Sequence, residues 1–378
     1  MRFSVLDSWR GISALLVALF HLNAYGHFYF IPLVRSSYLF VDFFFVLSGF
    51  VISYTYLSRL NAGRDLKPFV IRRFGRVWPL HAFMLLLFVA FPFSEWLFCD
   101  LTKVCGAQWP FQPEDGRTAL ANIFLLHAMG VDDSLSWNWP SWSISAEFYA
   151  YLLFAVVCII ARPVRISLAL LIACASAMVV LLLSPRYINT TYELGYFRSL
   201  FGFFSGVVVF RLYEANNRIV RRLPTVLEIA AVLGVGTFLT LVGTAVGTML
   251  APLVFGCCVY VFAHEAGAVS RLLRSKPLLR MGAWSYSIYM VHAFILIVLL
   301  RGVRGIERLY GIPIRLEMGY STKLYYFHSR YAMDIAAVVY LMVVVAVAAV
   351  TYRLVEDPAR RWFNGVARKL EMRNPEAS

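Results

Sequence analysis

Charge is scarce in this sequence. Asp, Glu, Lys and Arg make up only 15% of its 378 residues, where a soluble globular domain carries about 25%. Acid is scarcer still, with 21 Asp and Glu against 35 Lys and Arg. The six cysteines fall at no metal-ligand spacing, so no metal site is expected. Cys158, Cys174, Cys257 and Cys258 lie in apolar segments and read as small core hydrophobes. Cys99 and Cys105 share a polar loop, where a disulfide needs an oxidising compartment. No internal repeat, low-complexity tract or separate soluble domain is visible, so residues 1–378 read as a single domain. Short strands of alternating polarity are missing, which excludes an outer-membrane barrel. The first apolar run carries Asp7 and Arg10 and lacks an A-x-A pattern, so it reads as a retained helix rather than a cleaved signal.

What is there in abundance is apolar: 60% of residues are hydrophobic, in long unbroken runs such as 168–183, 226–241 and 335–352. A hydrocarbon layer about 30 Å thick takes roughly 20 such residues per helix. The expected fold is therefore all-α, a polytopic membrane helix bundle of about ten transmembrane helices. They fall near 5–24, 39–57, 78–93, 142–161, 166–184, 196–212, 225–242, 248–264, 284–300 and 332–353. The segment 119–129 is too short to span and should lie in the interface or re-enter.

The net charge of +14 would point to nucleic acid in a soluble chain. Here the basic residues cluster in short loops, as orientation signals do, so no nucleic-acid partner is expected and the lipid bilayer is the first partner. With the N-terminus inside, 23 of the 35 Lys and Arg fall on the inner side and eleven on the outer, Arg10 lying within the first helix. Both termini are thus expected in the cytoplasm. One loop breaks the rule: 301–331 is assigned outside yet carries Arg301, Arg304, Arg308, Arg315, Lys323 and Arg330. Either it meets an anionic partner there or the helix count fails nearby.

Ionisable groups inside spanning helices point to function by default. Arg10 and His21 lie eleven residues apart on the first helix, about three turns, so they share a face roughly 16 Å apart. The bland alternative is a snorkelling Arg and a hydrogen-bonded core His. By depth His21, Asp42, Glu147 and Arg198 fall in one outer layer. A His beside a carboxylate suits a general base, whereas the competing reading is a structural ion-pair network. Arg72, Arg73 and Arg76 in RRFGRVWP precede the third helix, where a helix N-terminus and a shared face would hold phosphate; a plain topology signal is the alternative. In SYSIYMVH, Ser285, Tyr289 and His292 share a face and either line a pore or bond between helices.

At these residues the chain resembles the acyltransferase-3 family of integral membrane O-acyltransferases. The resemblance runs from LDSWRGISALLVALFH through FFFVLSGFVIS, RRFGRVWP, WSISAEFY and SYSIYMVH to VEDPARRW, in the family's order. Family members move acyl groups, usually acetyl from cytoplasmic acetyl-CoA, to hydroxyls of surface glycans, glycolipids or small molecules such as macrolides. The resemblance implies that His21 is the essential first-helix histidine and Arg10 its partner. It implies that Arg73 and Arg76 are the pair that engages the coenzyme, and that Glu147 closes the W-S-x-x-x-E motif. Ser48 and Gly49 match the L-S-G-F stretch. Ser8-Trp9 departs from a usual Gly-Leu or Gly-Ile pair, and the appended esterase-like domain of larger members is lacking.

The expectation is that acetyl-CoA docks at Arg73 and Arg76 and presents its thioester past Arg10 to His21. His21, oriented by Glu147 or Asp42, deprotonates an acceptor hydroxyl on a surface polysaccharide or lipid-linked glycan. An acyl-His intermediate is the variant. A macrolide-type acceptor is an alternative, and so is a transporter of lipid-linked sugar, though matching broken helices are absent. A scaffold that has lost activity is the third. The expected location is the bacterial inner membrane.

Overall fold

Where no water can satisfy the backbone, a chain must close its own hydrogen bonds, and this one does so as helices. The computed structural model describes residues 3–102, 115–215, 220, 222–243, 246–311, 315–318, 322–326 and 329–372. The long helices are α1 (Ser4–His21), α2 (Phe40–Tyr56), α3 (Gly63–Thr102), α5 (Trp142–Ile160), α6 (Arg165–Leu183) and α7 (Gly195–Ala215). They continue with α8 (Pro224–Leu241), α9 (Ala251–Phe262), α10 (Ser285–Tyr310) and α11 (Arg330–Thr351). Between them lies the short α4 (Gly116–Ile123), and α12 (Asp357–Met372) closes the order. A hairpin of β1 (Arg315–Met318) and β2 (Thr322–Tyr325) joins α10 to α11.

Each expected span has a helix, but among the described residues seven helices are long and apolar enough to cross a membrane. The helices that fall short are α1, α7 and α9. Asp7, Arg10 and His21 dilute α1, Arg198, Arg211 and Glu214 dilute α7, and α9 is short. The chain is an integral membrane protein. Within 119–129 the chain forms the end of the short α4, which is capped by Asp115 through Thr118. After it the chain turns into the bundle, and Trp78, His81, Ser145 and Tyr149 donate to the carbonyls of Ile123, Asn122, Leu125 and Phe124. Irregular backbone packed among helices persists only when its carbonyls are partnered this way.

One expectation is corrected. RRFGRVWP does not precede a helix; α3 begins at Gly63, so Arg72, Arg73 and Arg76 sit two to four turns inside it. Their backbone N–H groups belong to the helical ladder and offer no anion site. Beyond Arg353 the chain does not trail off: a π-turn over Tyr352–Glu356 leads into the amphipathic α12, which packs back on α3 through Phe363 against Phe74. Cys99 is disulfide-bonded, and Cys105 lies outside the described residues.

Close packing of α2 on α7 sets the centre of the bundle. A methyl group on Gly49 would collide with the Phe203 carbonyl, and one on Gly206 with the carbonyl of Val46. Small residues at such crossings let helix backbones touch, the usual basis of association in lipid. The close crossing fixes α2, and hence Asp42 and Ser48, relative to α7.

Candidate active site

Phe3 and α12 lie on one side of the bundle, the terminal side, and α1 ends at His21 on the other. Here His21 Nδ1 lies 2.9 Å from the Val17 carbonyl and 3.2 Å from His292 Nε2. His292 Nδ1 in turn lies 2.6 Å from the Tyr289 carbonyl. A carbonyl only accepts, so both Nδ1 atoms carry hydrogens. His292 Nε2 is then a lone pair facing the His21 Nδ1–H, and His21 Nε2 is left as the unprotonated nitrogen. The tautomer is thus assigned by partners on α1 and α10, and it is the one a general base requires.

His292 is itself held. The Tyr340 hydroxyl donates to its carbonyl at 3.1 Å, and Tyr289, one turn earlier, donates to the Pro140 carbonyl at 2.8 Å and meets Ser143 at 2.9 Å. Of the three face residues expected in SYSIYMVH, Tyr289 and His292 bond to neighbouring elements, Tyr289 at the irregular turn at Pro140 and His292 at His21, whereas Ser285 Oγ is buried without a hydrogen-bond partner. Asn138 donates to the Met290 carbonyl at 3.2 Å, fixing the same turn.

The expected outer layer of four charged residues separates into three groups. Both carboxylate oxygens of Asp42 take hydrogen bonds from Arg198, at 2.9 Å from Nε and 2.6 Å from a terminal nitrogen. The pair is wholly buried, with side chains 0% and 1% exposed, and Arg198 also donates to the carbonyls of Thr190 and Tyr38. Glu147 accepts from Ser48 and, at 2.6 Å, from Tyr151. Neither carboxylate is a partner of His21; His292 holds that place. The reason is register: Asp42 lies at the start of α2 facing α7, while Glu147 faces Ser48, almost two turns deeper along α2.

Toward the terminal side Arg10 and Arg76 open onto one cleft of about 440 Å³, lined also by Tyr54, Tyr352, Arg360 and Asp7, whose carboxylate lies 3.9 Å from Arg10. Arg76 is ion-paired with the buried Glu356, whose other oxygen accepts from Ser287 at 2.6 Å. Its guanidinium lies 5.3 Å from the Tyr286 ring, and the Tyr286 hydroxyl donates to the Val77 carbonyl at 2.5 Å. Arg73 does not line this cleft. It lies over Tyr56 and Tyr151 at 5.3 and 5.9 Å, and its Nε is buried without a hydrogen-bond partner. A larger cavity, about 850 Å³, holds Arg59, Arg64, Arg72 and Arg368 but also Asp65 and Glu371. The smaller cleft has the stronger claim to a reaction, because α1 runs from its Arg10 directly to His21.

Arg360, Glu356 and Ser287 escaped the sequence reading although they lie in VEDPARRW and SYSIYMVH; only the fold shows those two segments meeting at Arg76. Also missed are His81 and His127, stacked at 5.4 Å in a buried polar pocket beside Ser141, each with an unpartnered Nδ1.

A bundle with a tautomer-fixed histidine at one end of its first helix and an arginine-lined cleft at the other defines a membrane-embedded group transferase. The model of the acyltransferase-domain family, acyltransferase-3, matches residues 3–353, and the chain belongs to that family. It is a membrane-bound O-acyltransferase. It is 25% identical to acyltransferase MdmB of Streptomyces mycarofaciens over 85% of this chain and 80% of that one. It is 24% identical to the peptidoglycan O-acetyltransferase OatA of Listeria monocytogenes over 76% of this chain and 48% of that protein. Protein 2 in the picA locus of Rhizobium radiobacter is 30% identical over 41% of this chain and 81% of its own length. No solved structure matches the chain significantly.

Proposed function

We propose that the protein transfers an acetyl group from acetyl-CoA, entering at the terminal side, to a hydroxyl of a glycan on the opposite side. The terminal side is then cytoplasmic, as the loop charges favour, and the membrane is the bacterial inner membrane. One observation carries the reading: α1 places Arg10 in the basic cleft and His21, with a free Nε2, three turns away. That span suits a substrate with an anionic head and a reactive thioester at the end of a slender arm. Arg10, Arg76 and Arg360 fit the phosphates, and Tyr54 and Tyr352 offer the flanking rings.

His21 Nε2 takes the hydroxyl proton as the oxygen attacks the thioester carbonyl. The new C–O bond forms, the C–S bond breaks, and the proton passes to the leaving thiolate. The imidazolium that exists in between is stabilised by the Val17 carbonyl and the His292 lone pair. The name of one relative, a peptidoglycan O-acetyltransferase, supports a glycan as acceptor. The direct test is acetyl-CoA binding and thiol release by the purified protein in lipid nanodiscs. Binding that weakens in Arg76→Ala and Arg10→Ala supports the donor site. Unchanged binding in both would place the donor elsewhere, with the 850 Å³ cavity next in line.

A further inference from the structure

The loop between α10 and α11, basic against the orientation rule, is explained by neither the base nor the donor cleft. The helices on either side are in place: α10 runs to Tyr310 and takes in Arg301, Arg304 and Arg308, and α11 begins at Arg330. The hairpin of this loop reaches the segment that follows His21. Tyr25 donates from its backbone to the Tyr325 carbonyl, and Tyr325 to that of Asn23, both at 2.8 Å. Asp334, at the start of α11, accepts from the His27 backbone at 2.7 Å and meets its ring nitrogen at 2.6 Å. A latch therefore holds residues 23–28 in one shape directly beside the base.

What the latch presents is aromatic and cationic. Arg330 donates to the Tyr25 hydroxyl at 2.9 Å and lies over the Tyr25 and Phe30 rings at 4.9 and 5.4 Å. Arg35 donates to the carbonyl of Phe20, the residue before His21, and lies 4.4 Å from the Tyr29 ring. Phe30 and Tyr331 are 46% and 74% exposed. An interfacial aromatic belt would account for exposed rings, but it has no need of guanidinium groups seated on them or of a carboxylate latch.

We propose that this mouth is the acceptor site and takes a saccharide bearing a negative charge, a carboxylate or a phosphate, near the hydroxyl to be acylated. Sugar C–H faces pack on Tyr29 and Phe30, and Arg35 and Arg330 read the anion with the donors their ring contacts leave free. The inference rests on the reading of His21 as the base, since it is the step from Phe20 to His21 that puts Arg35 beside the chemistry.

The test uses the full chain in neutral-lipid nanodiscs, acetyl-CoA, and oligosaccharides matched except for one residue: neutral, carboxylated or phosphorylated. The charged acceptors should show a KM at least about tenfold below the neutral one. Arg330→Gln should remove that preference, Arg330→Lys should keep part of it, and the KM for acetyl-CoA should stay at the wild-type value in both. Comparing the carboxylated and phosphorylated forms tells which anion is meant. Equal KM values for neutral and charged acceptors overturn the proposal. So does a preference that survives both Arg330→Gln and Arg35→Gln. A loss that is the same for every acceptor and is restored by anionic lipid means that the patch serves the bilayer. If acetyl-CoA is bound yet no saccharide accepts, the glycan reading falls too, whereas the earlier results leave it standing.

Discussion

Replacing Asp42 by Asn separates a structural ion pair from a catalytic carboxylate. The substitution leaves Arg198, 1% exposed, charged and without its counter-ion. Removing one partner of a buried pair costs about 3–5 kcal/mol, a large share of the roughly 5–15 kcal/mol that holds a typical domain folded. The double variant Asp42→Leu with Arg198→Met removes both charges, and such replacements are often close to neutral. Here two carbonyls, those of Thr190 and Tyr38, lose a donor as well, at about 1–3 kcal/mol each if they stay dry. The expectation is therefore partial recovery. Fluorescence-detected size-exclusion chromatography after heating, in matched detergent, should rank wild type above the double variant and the double variant above Asp42→Asn. Activity per folded molecule should stay within about threefold of wild type in the double variant, because neither side chain touches His21 and distant sites act independently. A double variant that folds as well as predicted but transfers no acyl groups would refute the reasoning and return Asp42 to the catalytic set.

Other variants probe the remaining groups. His292→Ala should lower kcat by roughly a hundredfold or more, the usual scale of a disturbed general base, with His292→Gln recovering part because its amide oxygen can accept from His21 Nδ1; stopped-flow thiol release reads both. Glu356→Gln should loosen Arg76 and raise the KM for acetyl-CoA more than it lowers kcat, since Ser287 and Arg76 both keep a partner of the same shape. Arg73→Lys keeps the charge but loses the planar group that lies over the Tyr56 and Tyr151 rings; because Arg73 does not line the donor cleft, the KM for acetyl-CoA should stay at the wild-type value, and a raised KM would bring Arg73 into the donor site. Gly206→Val should destabilise the α2–α7 crossing by at least roughly 1–3 kcal/mol, visible as a lower melting temperature without any change in coenzyme KM.

The helices were legible because hydrophobic run length is a one-dimensional signal, and every expected span proved helical. The start of α3 was not, since 63–77 is as polar as a loop, and only the fold shows it packed against α12 through Phe74 and Phe363. His21, His292 and Tyr289 could be singled out as polar groups on apolar helices. Their pairing could not, because it joins residues 271 positions apart across a crossing that sequence does not encode. The same limit explains why Glu147 and Asp42 stood as equal candidates to orient His21. Depth along a helix can be counted in residues, but the face each carboxylate presents to its neighbours depends on rotation of α2, α5 and α7 about their axes. Glu356 shows the opposite failure: a carboxylate in an apparently cytoplasmic tail proves to be buried and to join α3, α10 and α12.

The central claim is that His21 Nε2 is the base for O-acyl transfer to a glycan. It is tested most directly by expressing wild type and His21→Ala at matched levels in a host lacking this gene, and measuring base-labile O-acyl groups on its envelope glycans by mass spectrometry. The account predicts acetyl groups with wild type and their loss with His21→Ala. Equal acylation in the two strains would contradict it.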